Sequence, residues 1–430
     1  MDAAPKRFRL FTLPRVSWAL YDFANTMFAF AIVSRYFNDW VINQHHRPDW
    51  NVGLMSAIVG LLLVVAMPAV GALSDQVGRR LPFLATFTVG CVLATMSIRL
   101  TEHIPLALVI CGFAIFCYQL ALSMYDPLLA TVAPREKFGA VSGLGVGTGY
   151  LGTLAVIGAL TPIVREGHLE DAFVPTALLF ALFAIPIFVF VKERPDARAP
   201  SERGAMRRAL RQVAVTVGHI RTDDRDVGRF LIARFLYFDA IATVIAYMSV
   251  YMTRLGGFSE GTKTLILGFA TIFAVIGAYV SGALVQRVGP KRVLSGILLL
   301  TTTTLALAAA TGSAGLVWVL APSIGIALGG VATSDRVFMM RLTNPEVRGE
   351  FFGIYNLIGK LSSGFGPLVL WSGTIWILHT HGTLELLGAS RAALGVLAVA
   401  VIAGLYVLWP LDDTERYPDE PDVAATALEA

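Results

Sequence analysis

Seven ionisable side chains within the long apolar stretches of this chain are candidates for a function, because a charge there is costly and is retained when it has a use. Near the centre of a bilayer such a side chain costs ~2.5–3.5 kcal/mol if it faces lipid, so each should face a cavity or a partner. A guanidinium can bind a carboxylate with two parallel hydrogen bonds, and a carboxylate can accept an ammonium group or a proton. The pattern therefore predicts binding of a small zwitterionic or anionic molecule, with protons as a second partner. The seven residues are Asp22, Asp126, Arg234, Asp239, Asp335, Arg336 and Lys360.

The depth of these residues separates them into two groups. Counted at 1.5 Å per residue from the predicted helix ends, Asn25, Asp239 and Lys360 lie ~15 Å deep. Counted in the same way, a second group lies only ~8–10 Å deep, and it consists of Asp22, Asp126, Asn356 and the adjacent pair Asp335 and Arg336.

Several roles stay open for these residues. Asp22 and Asn25 are three positions apart and so share one helical face, which favours handling of substrate or protons. A static ion pair is the alternative for Asp239 with Lys360. For Asp126, and for Asp335 with Arg336, the alternative to a role in transport is an interaction that locks the cytoplasmic end of the spans. Arg234 is predicted to face lipid or a helix interface. Tyr21 and Tyr355 line a cavity or simply pack.

The elements that must position these side chains are membrane-spanning helices. Hydrophobic residues make up 56% of the 430 residues, charged residues make up 15%, and the mean hydropathy is +0.67. A soluble domain carries about 25% charged residues, so the chain is predicted to be an integral membrane protein. Twelve apolar stretches are long enough to cross ~30 Å of hydrocarbon. They cover residues 16–42, 51–74, 82–100, 104–131, 139–164, 172–192, 228–252, 260–286, 293–311, 315–341, 350–379 and 388–411.

A duplicated turn divides the twelve stretches into two halves. Residues 71–80 read Gly-Ala-Leu-Ser-Asp-Gln-Val-Gly-Arg-Arg, and residues 282–292 read Gly-Ala-Leu-Val-Gln-Arg-Val-Gly-Pro-Lys-Arg. Repeated membrane halves are typical of secondary transporters. The predicted domains are a six-helix bundle over 1–192, a basic cytoplasmic linker with an amphipathic, lipid-binding helix over 193–227, a second bundle over 228–411, and a disordered cytoplasmic tail over 412–430. Asp75 with Arg79 and Arg80 could form a charge network that gates one conformation, and the alternative is a turn that only anchors the topology.

The duplicated turn resembles the hallmark loop of the major facilitator superfamily. A narrower resemblance, to its vacuole-effluxer-like branch, rests on the first helix (Trp18 to Phe28), on Tyr237-x-Asp239 and, most specifically, on residues 350–360 (Glu-Phe-Phe-Gly-Ile-Tyr-Asn-Leu-Ile-Gly-Lys). That branch includes the fungal autophagy-related amino-acid effluxer. The resemblance implies two pseudo-symmetric six-helix bundles, with helices 1, 4, 7 and 10 around a central cavity. Asp126, Ala332 and Asp335 depart from the branch pattern, which leaves the substrate and the coupling open.

These observations lead to one main hypothesis and two alternatives. The main hypothesis is a secondary active transporter that exports an amino acid by alternating access, driven by protons. The alternatives are a broad exporter of amphiphilic drugs or lipids and a cation-coupled sugar symporter. No motif of a hydrolase, a nucleotide-driven pump or a metalloprotease occurs, so we expect no enzyme activity, cofactor or metal. Lys and Arg cluster in the loops on one side, which predicts cytoplasmic termini in a bacterial inner membrane. We expect a monomer that does not bind nucleic acid.

Overall fold

The computed structural model describes residues 10–134, 137–164, 167–193, 225–343 and 348–413. The predicted amphipathic helix of the linker and nearly all of the predicted tail lie outside these residues. The side chain of Asp75 is also outside the described part of the chain.

Within these described residues, twelve helices are long and apolar enough to span a membrane, and there is no strand. A helix satisfies its own backbone hydrogen bonds, which is why apolar stretches of this length adopt it in lipid. The prediction of an all-α, twelve-span membrane protein is confirmed. We number the spans α1 (Leu13–Gln44), α2 (Asp49–Ser74), α3 (Leu81–Ile98), α4 (Ile104–Val132), α5 (Val141–Leu160), α6 (Leu169–Phe190), α7 (Arg225–Leu255), α8 (Glu260–Val288), α9 (Pro290–Thr311), α10 (Ala314–Leu342), α11 (Gly353–Thr380) and α12 (Leu386–Leu408).

Two of the spans contain π-helical segments. In α1 these cover Ala29–Tyr36 and Trp40–Gln44, and in α11 they cover Gly366–Gly373 and Trp376–Thr380. A π-helical turn changes the direction of the backbone groups and is frequent at functional sites. Gly366 is the first residue of its segment, and its backbone N–H donates a hydrogen bond to Asp239 Oδ1 at 2.7 Å.

The chain forms two compact units that exchange two short segments. Unit 1 comprises residues 1–47, 65–207 and 258–268, and unit 2 comprises residues 48–64, 208–257 and 269–430. The start of α2 thus belongs with the later spans, and the start of α8 belongs with the earlier ones. The predicted bundles, 1–192 and 228–411, were drawn as continuous segments without these two exchanged pieces. The division into those bundles stays a prediction.

In unit 1, an aromatic layer packs α1 against α4 and α6. The Trp18 and Tyr125 rings stack at a centroid distance of 4.8 Å, and Tyr21 and Tyr125 stack at 5.1 Å. Phe28 lies 5.7 Å from Phe180 of α6. These contacts fix the rotation of α1 about its axis and hence the direction of its polar side chains.

A carboxylate outside the spans anchors each duplicated turn. In unit 1, Glu193 accepts the backbone N–H groups of Arg80 at 2.8 Å and of Leu81 at 2.7 Å, at the start of α3. In unit 2, Asp413 accepts the N–H of Lys291 at 3.2 Å, at the start of α9. A carboxylate at a helix N-terminus satisfies free N–H groups and opposes the positive end of the helix dipole.

Candidate functional site

Glycines of α5 allow the polar face of α1 to pack closely in unit 1. A Cβ atom at Gly149 would lie 2.9 Å from both Asp22 Oδ2 and Thr26 Oγ1, and one at Gly145 would lie 2.5 Å from the Trp18 ring. Any larger residue at Gly149 would therefore displace the Asp22 carboxylate. Small residues at helix interfaces bring backbones together in membranes, and these two glycines have that role between α1 and α5.

The Asp22 carboxylate has no basic partner among the described residues. It interacts electrostatically with Asp126 and with the hydroxyls of Tyr118, Tyr125 and Tyr150. It is partly accessible, whereas Asp126 is exposed. A partly accessible carboxylate among tyrosines and a second carboxylate is suited to binding a cation, an ammonium group or a proton.

Asn25, one turn further along α1, is buried and unsatisfied. Its side chain is 2% exposed, and neither Nδ2 nor Oδ1 has a hydrogen-bond partner among the residues that the structure describes. Leaving a buried donor or acceptor unpaired costs about 1–3 kcal/mol for each group, so a group of this kind calls for an explanation. The amide offers both a donor and an acceptor on the face it shares with Asp22.

The other embedded carboxylates that we compared are held by partners. Asp39 pairs with Arg35 and Lys263, Asp49 pairs with Arg254, and Asp335 pairs with Arg234. Asp239 is buried and its Oδ1 accepts the Gly366 N–H at 2.7 Å, and a static ion pair of Asp239 with Lys360 stays a prediction. Asp22 is therefore both accessible and without an opposite charge among the described residues.

In unit 2, a second polar cluster joins α7, α10 and α11. Arg234 Nη1 donates to Asp335 Oδ2 at 2.8 Å, and the Tyr355 hydroxyl donates to Asp335 Oδ1 at 2.8 Å. The Tyr237 hydroxyl is 3.5 Å from Asp335 Oδ2. The predicted partner of Asp335 was Arg336, but the structure pairs it with Arg234, and Arg336 is exposed. Arg234 does not face lipid, because only 5% of it is exposed.

The remaining predicted site residues fall in different environments. Tyr21 is fully buried, and its hydroxyl lies 2.6 Å from Thr88 Oγ1, so it packs and does not line an open site. Asn356 is exposed and Lys360 is half-buried on α11. Of the predicted gating residues, Arg79 is exposed and the Arg80 backbone is held by Glu193.

Two buried ion-pair clusters were not among the sequence predictions. In unit 1, Arg35 Nη2 lies 2.5 Å from Glu260 Oε2, and Lys263 Nζ lies 3.0 Å from Asp39 Oδ2. These four side chains are between 0% and 20% exposed. Their signal in the sequence is the spacing of opposite charges, i to i+4 in α1 and i to i+3 in α8, within apolar stretches.

The second cluster lies in unit 2, at the first residue of α2 and the last turn of α7. Arg254 Nη2 lies 2.5 Å from Asp49 Oδ2, and Trp371 Nε1 donates to Asp49 Oδ1 at 2.8 Å. Arg254 Nη1 also donates to Ser390 Oγ at 3.0 Å. Each of these two charges stands at the end of a span, where charged side chains are usually solvated, so the sequence gives no signal for the pair.

Comparison with known proteins identifies the family. The family model of the Major Facilitator Superfamily matches residues 19–367. The chain belongs to this superfamily. It is an integral, multi-pass membrane protein and a secondary transporter, not an enzyme.

Three relatives and one solved structure illustrate the range of the match. The "Uncharacterized MFS-type transporter YxiO" of Bacillus subtilis is 24% identical, over 93% of this chain and 94% of that protein. "Multidrug resistance protein MdtG" of Dickeya zeae is 24% identical, over 82% and 86%. "Autophagy-related protein 22-1" of Aspergillus niger is 27% identical, over 64% of this chain but 47% of that protein. The crystal structure of the nucleoside transporter NupG superposes with a TM-score of 0.71 at 12% identity, over 93% of this chain and 100% of that one, which shows the shared fold.

The similarity to the autophagy-related protein bears out the resemblance to that branch of the superfamily. Among the described residues, no cluster of three or more His, Cys, Asp or Glu side chains could hold a metal ion.

Proposed function

We propose that this transporter moves a small zwitterionic or anionic metabolite, with an amino acid as the best candidate, and that its movement is coupled to protons. The observation that carries the proposal is the pair formed by Asp22 and Asn25. Asp22 is the accessible carboxylate without a basic partner among the described residues, and Asn25 keeps two unsatisfied polar atoms on the same face of α1.

The chemistry of the pair supports this substrate class. An ammonium group supplies three donors and a positive charge, which satisfy a carboxylate, and the amide of Asn25 matches a neighbouring polar group. In the absence of substrate, a proton on Asp22 neutralises the same charge. Competition between proton and ammonium for one carboxylate is a direct way to couple the two movements, because each ligand then biases the conformational equilibrium.

Three further assignments extend the proposal. Arg336, exposed on α10, is the sequence-predicted residue for an anionic group. The resemblance to the autophagy-related protein supports export. The charge bias of the loops supports cytoplasmic termini in a bacterial inner membrane.

Thermal unfolding of the purified protein in detergent tests the proposal. Amino acids, peptides, sugars, organic acids and drugs would be compared at two pH values. A ligand present at 100 times its dissociation constant adds about 2.7 kcal/mol to the free energy of unfolding, which is measurable. We expect stabilisation by an amino acid that is lost in Asp22→Asn and kept in Asp171→Asn, which changes a surface carboxylate near Arg99.

One result would replace the proposal. Stabilisation only by large amphiphilic compounds, unchanged in Asp22→Asn, would assign the protein to broad export. The similarity to the multidrug resistance protein MdtG favours that second function. For an amino-acid hit, uptake of the labelled compound into proteoliposomes with and without an imposed pH gradient then tests proton coupling.

A further inference from the structure

The guanidinium of Arg234 in unit 2 is buried but only partly used. Its hydrogen bond to the described residues goes through Nη1, to Asp335 Oδ2 at 2.8 Å. The Nε atom is buried and has no hydrogen-bond partner within the part of the chain that the structure describes. A guanidinium has five N–H donors in a fixed plane, and the edge formed by Nε and Nη2 matches the two oxygens of a carboxylate.

Two aromatic rings hold the guanidinium. Its central carbon lies 3.6 Å from the centroid of the Tyr355 ring and 4.6 Å from that of the Phe238 ring. Stacking of this kind orients the guanidinium plane before any ligand arrives, so less entropy is lost on binding.

Asp335 leaves the free edge unneutralised. Its oxygens are engaged by Arg234 Nη1 and the hydroxyls of Tyr237 and Tyr355. Arg336 also acts electrostatically on Asp335 and on Tyr355. Among the described residues, the charged groups at this cluster are therefore two arginines and one carboxylate. One added anion would balance them.

Gly359 of α11 packs closely against the Arg234 guanidinium. A Cβ atom at this position would lie 3.3 Å from Arg234 Nη2 and 3.8 Å from the Phe238 ring. Any side chain at Gly359 would therefore press on the guanidinium at Nη2.

We propose that the Nε and Nη2 edge of Arg234 is a binding site for a carboxylate of the transported molecule. Asp335 and Tyr355 are the positioning residues that hold the guanidinium, and a glycine at position 359 leaves Nη2 free of crowding by a side chain. The role of this site in transport rests on the proposed function, since it supplies the anionic contact for that substrate class.

Carboxylate binding to the full-length protein in detergent tests the site. Thermal unfolding would be followed by tryptophan fluorescence in sodium acetate and in sodium chloride at equal ionic strength. Glycine would be added as a second carboxylate probe, and acetamide and glycinamide as probes that lack the carboxylate. We expect acetate and glycine to stabilise the protein more than chloride, acetamide or glycinamide.

Matched variants of α11 separate the site from general effects of salt. Gly359→Ala should raise the apparent dissociation constant for acetate by at least about tenfold, because it disturbs a hydrogen bond to a charged group. Gly353→Ala changes the same helix where a Cβ atom meets nothing within 4 Å, and it should leave acetate binding unchanged. Arg234→Gln alone would leave Asp335 unpaired, so the double variant Arg234→Gln/Asp335→Asn is used, and it should lose the acetate effect.

The outcomes distinguish this site from the proposed function. Equal stabilisation by acetate and chloride in the wild type, or an unchanged acetate affinity in Gly359→Ala, would overturn the carboxylate site even if amino acids are transported. If acetate binding depends on Arg234 but the protein transports no amino acid, the carboxylate site is supported and the proposed substrate is wrong.

Discussion

Replacement of Asn25 by leucine should stabilise the unliganded protein, which is the opposite of the usual effect of a core substitution. Neither polar atom of the Asn25 amide has a hydrogen-bond partner among the described residues, and the side chain is 2% exposed. Removing the two unsatisfied groups, at about 1–3 kcal/mol each, should add about 2–6 kcal/mol to the free energy of unfolding, and the extra volume of leucine should subtract ~1–3 kcal/mol. The middle of each range gives a net gain of about 2 kcal/mol in the free energy of unfolding.

Asn38, also on α1, provides the matched control. It too is buried, but its Nδ2 donates to the backbone carbonyl of Val33 at 3.3 Å. Asn38→Leu makes the same change of volume and loses that hydrogen bond, so it should destabilise the protein by about 1–3 kcal/mol.

Unfolding in increasing mole fractions of sodium dodecyl sulfate, without substrate, measures both variants against the wild type. Asn25→Leu should unfold later than the wild type and should lose stabilisation by the amino acid that the wild type binds. If Asn25→Leu instead unfolds at a lower mole fraction of sodium dodecyl sulfate than the wild type, by about as much as Asn38→Leu, the Asn25 amide is satisfied in the native state and the prediction is wrong. Gain of stability with loss of binding is the trade-off expected where a site is kept unsatisfied for a ligand.

Three other predictions concern the packing and the ion pairs. Asp49→Asn should lower the free energy of unfolding by about 3–5 kcal/mol, because it leaves Arg254 buried without its carboxylate. Adding Arg254→Met should recover part of this loss. Additive losses in the double variant would contradict the prediction. Glu193→Gln should lower the free energy of unfolding by about 1–2 kcal/mol, because the carboxylate caps two N–H groups at the start of α3. An unchanged unfolding curve in detergent would show that the cap does not contribute to stability. Gly277→Ala places a Cβ atom 2.7 Å from the backbone of α10 and should lower the midpoint of thermal unfolding. Gly147→Ala is the control, because its Cβ atom would meet nothing within 4 Å and should leave the midpoint unchanged. Equal midpoints for the two variants would argue against close packing at Gly277.

The sequence predicted the spans well because apolar length is a strong local signal. Each predicted boundary lies within a few residues of the observed helix, and both duplicated turns contain a glycine with positive φ, Gly78 at 65° and Gly289 at 90°. A glycine at such a position turns the chain without steric cost. Periodicity could not reveal the π-helical segments, because they depend on tertiary contacts such as the one between Gly366 and Asp239.

The candidate site was predicted less completely, because sequence identifies charges but not their partners. Asp22 and Asn25 were placed on one face; in the structure Asp22 is partly accessible, and Asn25 is buried without a hydrogen-bond partner among the described residues. Arg234 and Asp335 are 101 positions apart, so no spacing rule could pair them, and the neighbouring Arg336 was the more obvious partner. Asp39 and Lys263 were missed because charges near the ends of spans are usually solvated.

The buried cluster of α1 and α8 has a consequence for biosynthesis. Arg35 and Glu260 are 225 positions apart, so α1 enters the membrane about 11–45 s before its partner is made, at ~5–20 residues per second. In the folded structure Arg35 lies 3.3 Å from Asp39 on its own helix, and Glu260 lies 2.6 Å from Lys263 on its own helix, so each has a local partner available before the two helices meet. The charges within each local pair cancel, so neither pair adds net charge to its helix during insertion by the translocation machinery. Removing one member of either local pair should therefore impair insertion before any effect on the finished fold.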